Sequence, residues 1–165
     1  MDAEGNMVAA TPSGGWLGTS PVIKGLGFPL GTRGQMFYLN PDRPNALQPR
    51  KRPRATLTPT MVTRDGAPFM AFGTPGGDSQ EQWTLQFFLN HIDFGMNLQE
   101  ALDAPTPSRA FPTKRWTSCD DAGHEIELVG DWANGKVMGI RWHADKGVIA
   151  GAASAKNTIG YAMAL

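Results

Sequence analysis

Cysteine is almost missing from this chain. Cys119 stands alone among 165 residues, which excludes an internal disulfide and any paired-cysteine metal site. It has no local His or basic partner to activate its thiol, so it is read as incidental. A surplus of either charge is also lacking. Fifteen Lys and Arg balance fifteen Asp and Glu, and no global field draws the chain to nucleic acid or an anionic membrane surface. Long apolar runs are absent too: none approaches the roughly 20 residues needed to cross a bilayer, and no signal peptide opens the sequence. Cytoplasm and periplasm both stay open as compartments. His91, His124 and His143 are scattered without the spacing of a metal-binding motif, so neither a metal nor another cofactor is expected. No Gly-x-Ser-x-Gly elbow of a serine hydrolase occurs.

What the chain has in abundance is punctuation. Twenty Gly and thirteen Pro, set against 41% hydrophobic and 18% charged residues, suit a folded chain of short strands and tight turns rather than a helical bundle. Asp2 to Asn6 is turn chemistry, followed by strand-like residues 7–11. A hairpin turn needs a strand on both sides, and the preceding one is not in the sequence. Residues 12–53 are Gly- and Pro-rich without periodicity, which suits a functional segment or one covered by a partner. Arg50, Lys51, Arg52 and Arg54, threaded with prolines, read as a solvated loop, as does Asp120–Asp121. The aromatics Trp16, Phe37, Tyr38, Trp116 and Trp132 share no spacing and are assigned to core or interface packing.

The next segments are clearer. Residues 58–63 and 68–72 flank Asp65-Gly66, a strong hairpin signal. A helix is expected from about Ser79 to His91, its apolar face formed by Leu85, Phe88, Leu89 and Ile92. Asn97 and Glu100 have capping-box spacing ahead of a short helix over 98–104 that Pro105 stops. Strands are expected at 125–129, 136–142 and 147–152, the last two joined across residues 144–146. Hairpin, helices, then strands make an α+β fold with helices layered on antiparallel sheet.

Between the second strand and the first helix lies Gly73-Thr74-Pro75-Gly76-Gly77-Asp78. Two consecutive glycines there let the backbone come close to a ligand. Their N–H groups, with the positive end of the following helix, can hold a developing negative charge. An ordinary strand-to-helix turn would use the same glycines for geometry alone, and the loop by itself does not decide between the two. It is not a P-loop, since no Gly-Lys-Ser/Thr follows.

Several segments, in order, are similar to the small subunit of the gamma-glutamyltransferase family. They are residues 2–8 (DAEGNMV), Lys51-Arg52-Pro53 with Thr58-Pro59-Thr60, residues 73–77 (GTPGG), residues 93–101 (DFGMNLQEA), Asp103-Ala104-Pro105, and Gly160-Tyr161-Ala162. The resemblance runs over about 2–112 and 123–165. It implies one partial domain over 1–165, the small-subunit portion of an N-terminal-nucleophile hydrolase with an αββα sandwich. One strand would be missing at the N-terminus, and the 113–123 connection is short enough that a strand and a helix would be missing there. In the family a new N-terminal Thr, freed by self-cleavage, attacks an amide carbonyl with its own amine as base. The resemblance gives Gly76 and Gly77 the oxyanion-hole amides and places Ser13 beside the nucleophile. It puts Ala55 and Thr56 in the substrate pocket and Gln35 near the substrate's amino-acid end. It implies two partners, the large subunit of the same precursor and a small gamma-glutamyl or acyl-amide substrate.

Two departures bear on activity. The Thr is expected a few residues before Asp2, where Met1 stands. Tyr38 occupies roughly the place of an acidic residue that pairs with the glutamyl α-amine, a change that would reduce glutamyl selectivity. Residues 7–16 are closer to the acylase-like branch than to the glutathione-specific one. The 165 residues alone are therefore expected to be inactive, as part of an amidohydrolase or transpeptidase. The alternatives are an inactive truncated paralogue or gene fragment, kept as a binding module or without any function, or an unrelated α+β ligand-binding domain. Low stability alone is also expected, from an exposed sheet edge at 7–11 and from a 12–53 stretch that the large subunit would cover.

Overall fold

The computed structural model describes residues 1–2, 4–12, 14, 20–106 and 136–154. The chain divides into two compact units. One is Met1–Thr11 with Thr58–Leu165, and the other is Pro12–Leu57.

The first unit is built on a four-stranded antiparallel sheet in the order β1-β2-β3-β4, with β1 Thr60–Arg64, β2 Ala67–Gly73, β3 Met138–His143 and β4 Val148–Ala153. Asp65 (φ 54°) and Gly66 (φ 78°) close the β1–β2 hairpin. Two successive positive φ values match the twist of the strands they join. The register shifts between Val62 and Thr63, where Phe69 of β2 is left without a partner opposite it in β1. The β3–β4 hairpin pairs Met138 with Ala153 through to His143 with Val148. Between β2 and β3 come helix α1, Gln80–Ile92, and helix α2, Leu98–Asp103. The α2 cap has the expected form: Glu100 N–H donates to the Asn97 side chain (3.0 Å), and Asn97 N–H donates to Glu100 Oε2 (2.8 Å).

Both helices cover one face of the sheet. Phe69, Met70 and Phe72 of β2 share a core with Trp83, Phe87, Leu98, Ala101, Leu102, Val137 and Ala152. The Phe72 and Phe87 rings meet edge to face at 5.3 Å. Phe87 is 2% exposed, a burial that contributes about 1.5–3 kcal/mol. Gly139 makes room for it, since a Cβ at that position would lie 2.9 Å from the Phe87 ring tip.

Two expectations are corrected. Residues 7–11 form no strand. A strand exists through its ladder, and among the described residues none pairs with this segment, so the edges of the sheet are β1 and β4 and no strand edge lies at 7–11. The turn before it is present, however: Gly5 N–H donates to the Asp2 carbonyl and Asn6 donates to both Asp2 carboxylate oxygens. Those bonds from Asn6 hold the Asp2 carboxyl below its ordinary range. The apolar face of α1 is also rotated from the expected one. Leu85 is 57% exposed, while Gln80, Trp83, Thr84, Phe87, Asn90 and His91 are buried. This face has helical spacing, but four of its six members are polar. Each of those four hydrogen-bonds inward or along the helix, with Thr84 donating to Gln80 O and Asn90 to Ala101 O.

Elsewhere expectation and structure agree: β1, β2, α1, α2, β3 and β4 all stand within two residues of their expected bounds. The strand expected at 125–129, the residues Trp16, Trp116, Cys119, Asp120, Asp121, His124 and Trp132, and the 160–162 motif lie outside the described residues.

The second unit has no described α-helix or ladder. It holds a 3-10 turn at Arg33–Met36 and isolated bridges of Val22 with Pro29 and of Tyr38 with Ala46. Arg50, Arg52 and Arg54 are exposed, as the solvated-loop reading expects.

Candidate functional site

β2 delivers the chain to the glycine loop. Its last residue, Gly73, is paired with Met138 in β3, and the residue before it, Phe72, is paired with Thr60 in β1 and Gly139 in β3. Thr11 lies against it: a Cβ on Gly73 would come within 2.7 Å of the Thr11 methyl. Thr74 is almost fully buried, and its hydroxyl donates to the Pro75 carbonyl at 2.7 Å. After Pro75 the chain comes to the surface, with Gly76 and Gly77 exposed. A 3-10 turn over Gly77–Ser79 then leads into α1, with Ser79 N–H donating to Gly76 O at 3.2 Å.

Gly76 has φ 144° and ψ 18°, and Gly77 has φ 56°. Both values lie where only glycine is comfortable. The ψ of Gly76 is the torsion from its own nitrogen to that of Gly77, and at 18° the two nitrogens are nearly eclipsed. The two N–H groups therefore stand side by side on one edge of the loop. Among the described residues neither donates a hydrogen bond. Two adjacent exposed donors ahead of a 13-residue helix form an arrangement that can bind a carbonyl oxygen as it gains negative charge.

The remaining expected site residues belong to the other unit. Gln35 is exposed within the Arg33–Met36 turn, its N–H bonded to Thr32 O at 3.1 Å. Ala55 is exposed and Thr56 half-buried, neither in regular structure. Tyr38 is 50% exposed, with the Arg43 guanidinium 5.7 Å from its ring centre. Ser13 lies outside the described residues. The structure thus sets Gly76 and Gly77 in one unit and Gln35, Ala55 and Thr56 in the other.

Two groups near the loop escape the sequence reading. Gln80 accepts a hydrogen bond from Thr58 N–H at 3.3 Å, tying the start of α1 to the segment ahead of β1. Trp83, one helical turn further on, packs its ring on Gly76. Both lie on the true buried face of α1, and their spacing of three was the available signal.

A second cluster sits at the far end of α1. His91 Nε2 faces the Arg141 guanidinium at 2.7 Å, and Nδ1 faces the Met96 carbonyl at 2.6 Å. Arginine can only donate, so Nε2 accepts, Nδ1 carries the proton, and the ring is neutral. Burial holds the His91 pKa below its ordinary value, with the bond to Met96 opposing it and the guanidinium charges of Arg141 and Arg64 adding to the effect. Arg64 and Arg141 both lie over the Phe69 ring, at 4.1 and 4.9 Å. Among the described residues no group of three His, Cys, Asp or Glu side chains could hold a metal ion, and no helix is long and apolar enough to cross a membrane.

Known proteins give this geometry a context. The family model described as gamma-glutamyltranspeptidase matches residues 1–164. The chain is 39% identical over 116 residues to the glutathione hydrolase proenzyme of Pseudomonas sp. (strain A14), covering 64% of this chain and 20% of that protein. It is 33% identical over 148 residues to the glutathione hydrolase-like YwrD proenzyme of Bacillus subtilis (strain 168), covering 80% of this chain and 28% of that one. The match therefore spans less than a third of the length of these curated relatives. Among solved structures it resembles the gamma-glutamyltranspeptidase from Pseudomonas nitroreducens complexed with L-DON. The TM-score there is 0.76 at 26% identity, over 99% of this chain and 96% of that one. A family model matched along nearly the whole chain, and an α+β fold shared with solved members, lead to one conclusion: the chain belongs to the gamma-glutamyltranspeptidase family and carries part of its N-terminal-nucleophile hydrolase fold.

Proposed function

We propose that this chain forms the oxyanion-binding side of an amidohydrolase or transpeptidase that cleaves a gamma-glutamyl or related acyl amide. The observation that carries the reading is the pair of exposed N–H groups of Gly76 and Gly77, set side by side without partners among the described residues. In family chemistry the hydroxyl of an N-terminal Thr, upstream of the Asp2 turn, adds to the amide carbonyl carbon and passes its proton to its own α-amine. The carbonyl oxygen becomes an oxyanion, which accepts hydrogen bonds from Gly76 and Gly77. The intermediate collapses, and the departing amine takes the proton from the α-ammonium. Water then hydrolyses the acyl-enzyme, or an acceptor amine takes the acyl group.

Ser13 belongs beside the nucleophile in this reading, Ala55 and Thr56 in the substrate pocket, and Gln35 near the substrate's amino-acid end. The large portion of the same precursor is the partner. Tyr38 offers no carboxylate to a glutamyl α-amine, which favours a less strictly glutamyl-selective, acylase-like donor range.

The test is hydrolysis of gamma-glutamyl and glutaryl anilides by the 165-residue chain and by a protein extended upstream through the Thr and the large subunit. Activity confined to the extended protein is the expected result, and the preferred anilide identifies the donor class. A folded, cleaved and inactive extended protein would overturn the proposal in favour of a binding role.

A further inference from the structure

Trp83 is the fourth residue of α1 and is 7% exposed. A Cβ on Gly76 would fall 2.1 Å from its Cζ3 and 2.9 Å from both Cε3 and Cη2. The six-membered edge of the indole thus rests directly on the Gly76 α-carbon. At Gly77 the same construction meets nothing within 4 Å, so the pressure on the loop is applied at one residue. The indole N–H is buried and has no hydrogen-bond partner among the described residues, so the ring acts on the loop through packing alone.

Gly76 is the residue where such pressure matters. The Gly76 N–H and the Gly77 N–H flank its α-carbon, and their relative direction depends on two torsions alone, φ and ψ of Gly76. A φ of 144° is sparsely populated and persists only where the surroundings hold it. Two restraints are visible: the hydrogen bond from Ser79 N–H to Gly76 O and the indole edge on the α-carbon.

We propose that Trp83 is a positioning residue of the loop, its indole fixing the Gly76 torsions that keep the two amide donors on the same side of the chain. The proposal rests on the oxyanion reading above for its catalytic meaning, but not for its structural one. It also explains why residue 76 admits no side chain: the space a Cβ would take is filled by the part that sets the loop.

The experiment uses Trp83→Phe and Trp83→Leu in the full precursor carrying this chain. Two readouts are taken: kinetics on an anilide substrate, and hydrogen exchange of the Ser79 amide, whose bond to Gly76 O depends on the loop's shape. The expected result is a kcat about tenfold to a hundredfold lower, the scale of a misaligned catalytic group, with KM within about twofold. Exchange quickens at the Ser79 amide, which is bonded to Gly76 O, while the amides of Phe87 and Ala101 keep their protection. Trp83→Phe keeps an aromatic ring in the core and is the variant to rely on if Trp83→Leu fails to fold. A folded variant with unchanged kcat and unchanged Ser79 exchange would reduce Trp83 to a core residue and overturn the proposal. If the parent precursor is itself inactive, the oxyanion reading fails and exchange decides. Faster exchange in the variants then sustains the clamp, and unchanged exchange overturns it.

Discussion

An added methyl group meets very different surroundings at Gly76 and at Gly77. At Gly77 the space is open and only the left-handed backbone (φ 56°) resists, so Gly77→Ala is expected to cost about 1–2 kcal/mol. At Gly76 the methyl must also displace the Trp83 ring, an overpacking that adds about 1–3 kcal/mol. Urea unfolding of the two variants checks this; equal losses would mean that the indole yields freely. The sequence already marked both glycines as backbone that approaches a ligand. It could not separate their roles, because the difference lies in what packs behind one of them, seven residues on.

At the scale of the element, α1 joins the loop at its N-terminus to a cationic end. His91 is neutral, bonded to Arg141 and Met96, with its pKa lowered from 6.5 by burial first and neighbouring positive charge after. The sign follows from linkage. The unfolded state takes up this proton near pH 6.5 and the folded state only at lower pH. Stability from His91 is therefore complete above about pH 6.5 and is lost as pH falls through the window between the two pKa values. Urea midpoints measured from pH 8 down to pH 5 are expected to fall, and His91→Gln is expected to flatten that slope. The elements themselves were legible from local chemistry. Asp65-Gly66 marks its own hairpin, Asn97 with Glu100 marks its own cap, and both stand where expected. The buried face of α1 was not legible, because Gln80, Thr84, Asn90 and His91 are buried through bonds to partners outside their own segment or along it, which hydrophobic periodicity cannot register. The 7–11 segment failed for the complementary reason: alternation shows a strand's preference, while its existence depends on a neighbour.

At the scale of the first unit, Phe87 is among the side chains that join the helical layer to the sheet. Phe87 touches Phe72 of β2 and fills the hollow over Gly139 of β3. Phe87→Ala is expected to cost about 3–5 kcal/mol, read as a drop in the thermal midpoint with loss of near-ultraviolet circular dichroism. Family membership was visible at this scale because its motifs occur in order along the chain. The conformation around Gln35, Ala55 and Thr56 was not, since they sit in a unit with little regular structure and no periodic pattern to follow.

The order of strands in the sheet also sets an order in time. β1 with β2 and β3 with β4 are hairpins closed by short turns, and such units form within microseconds. The ladder between β2 and β3 joins segments separated by all of residues 74–137, so its closure waits on a much larger loss of chain entropy. Gly73, the residue that launches the glycine loop, finds its partner Met138 only in that late step. The strand end that leads to the two amide donors is thus fixed to β3 by the one ladder among the described strands that spans a long stretch of chain, and its closure carries the largest entropy cost of the three.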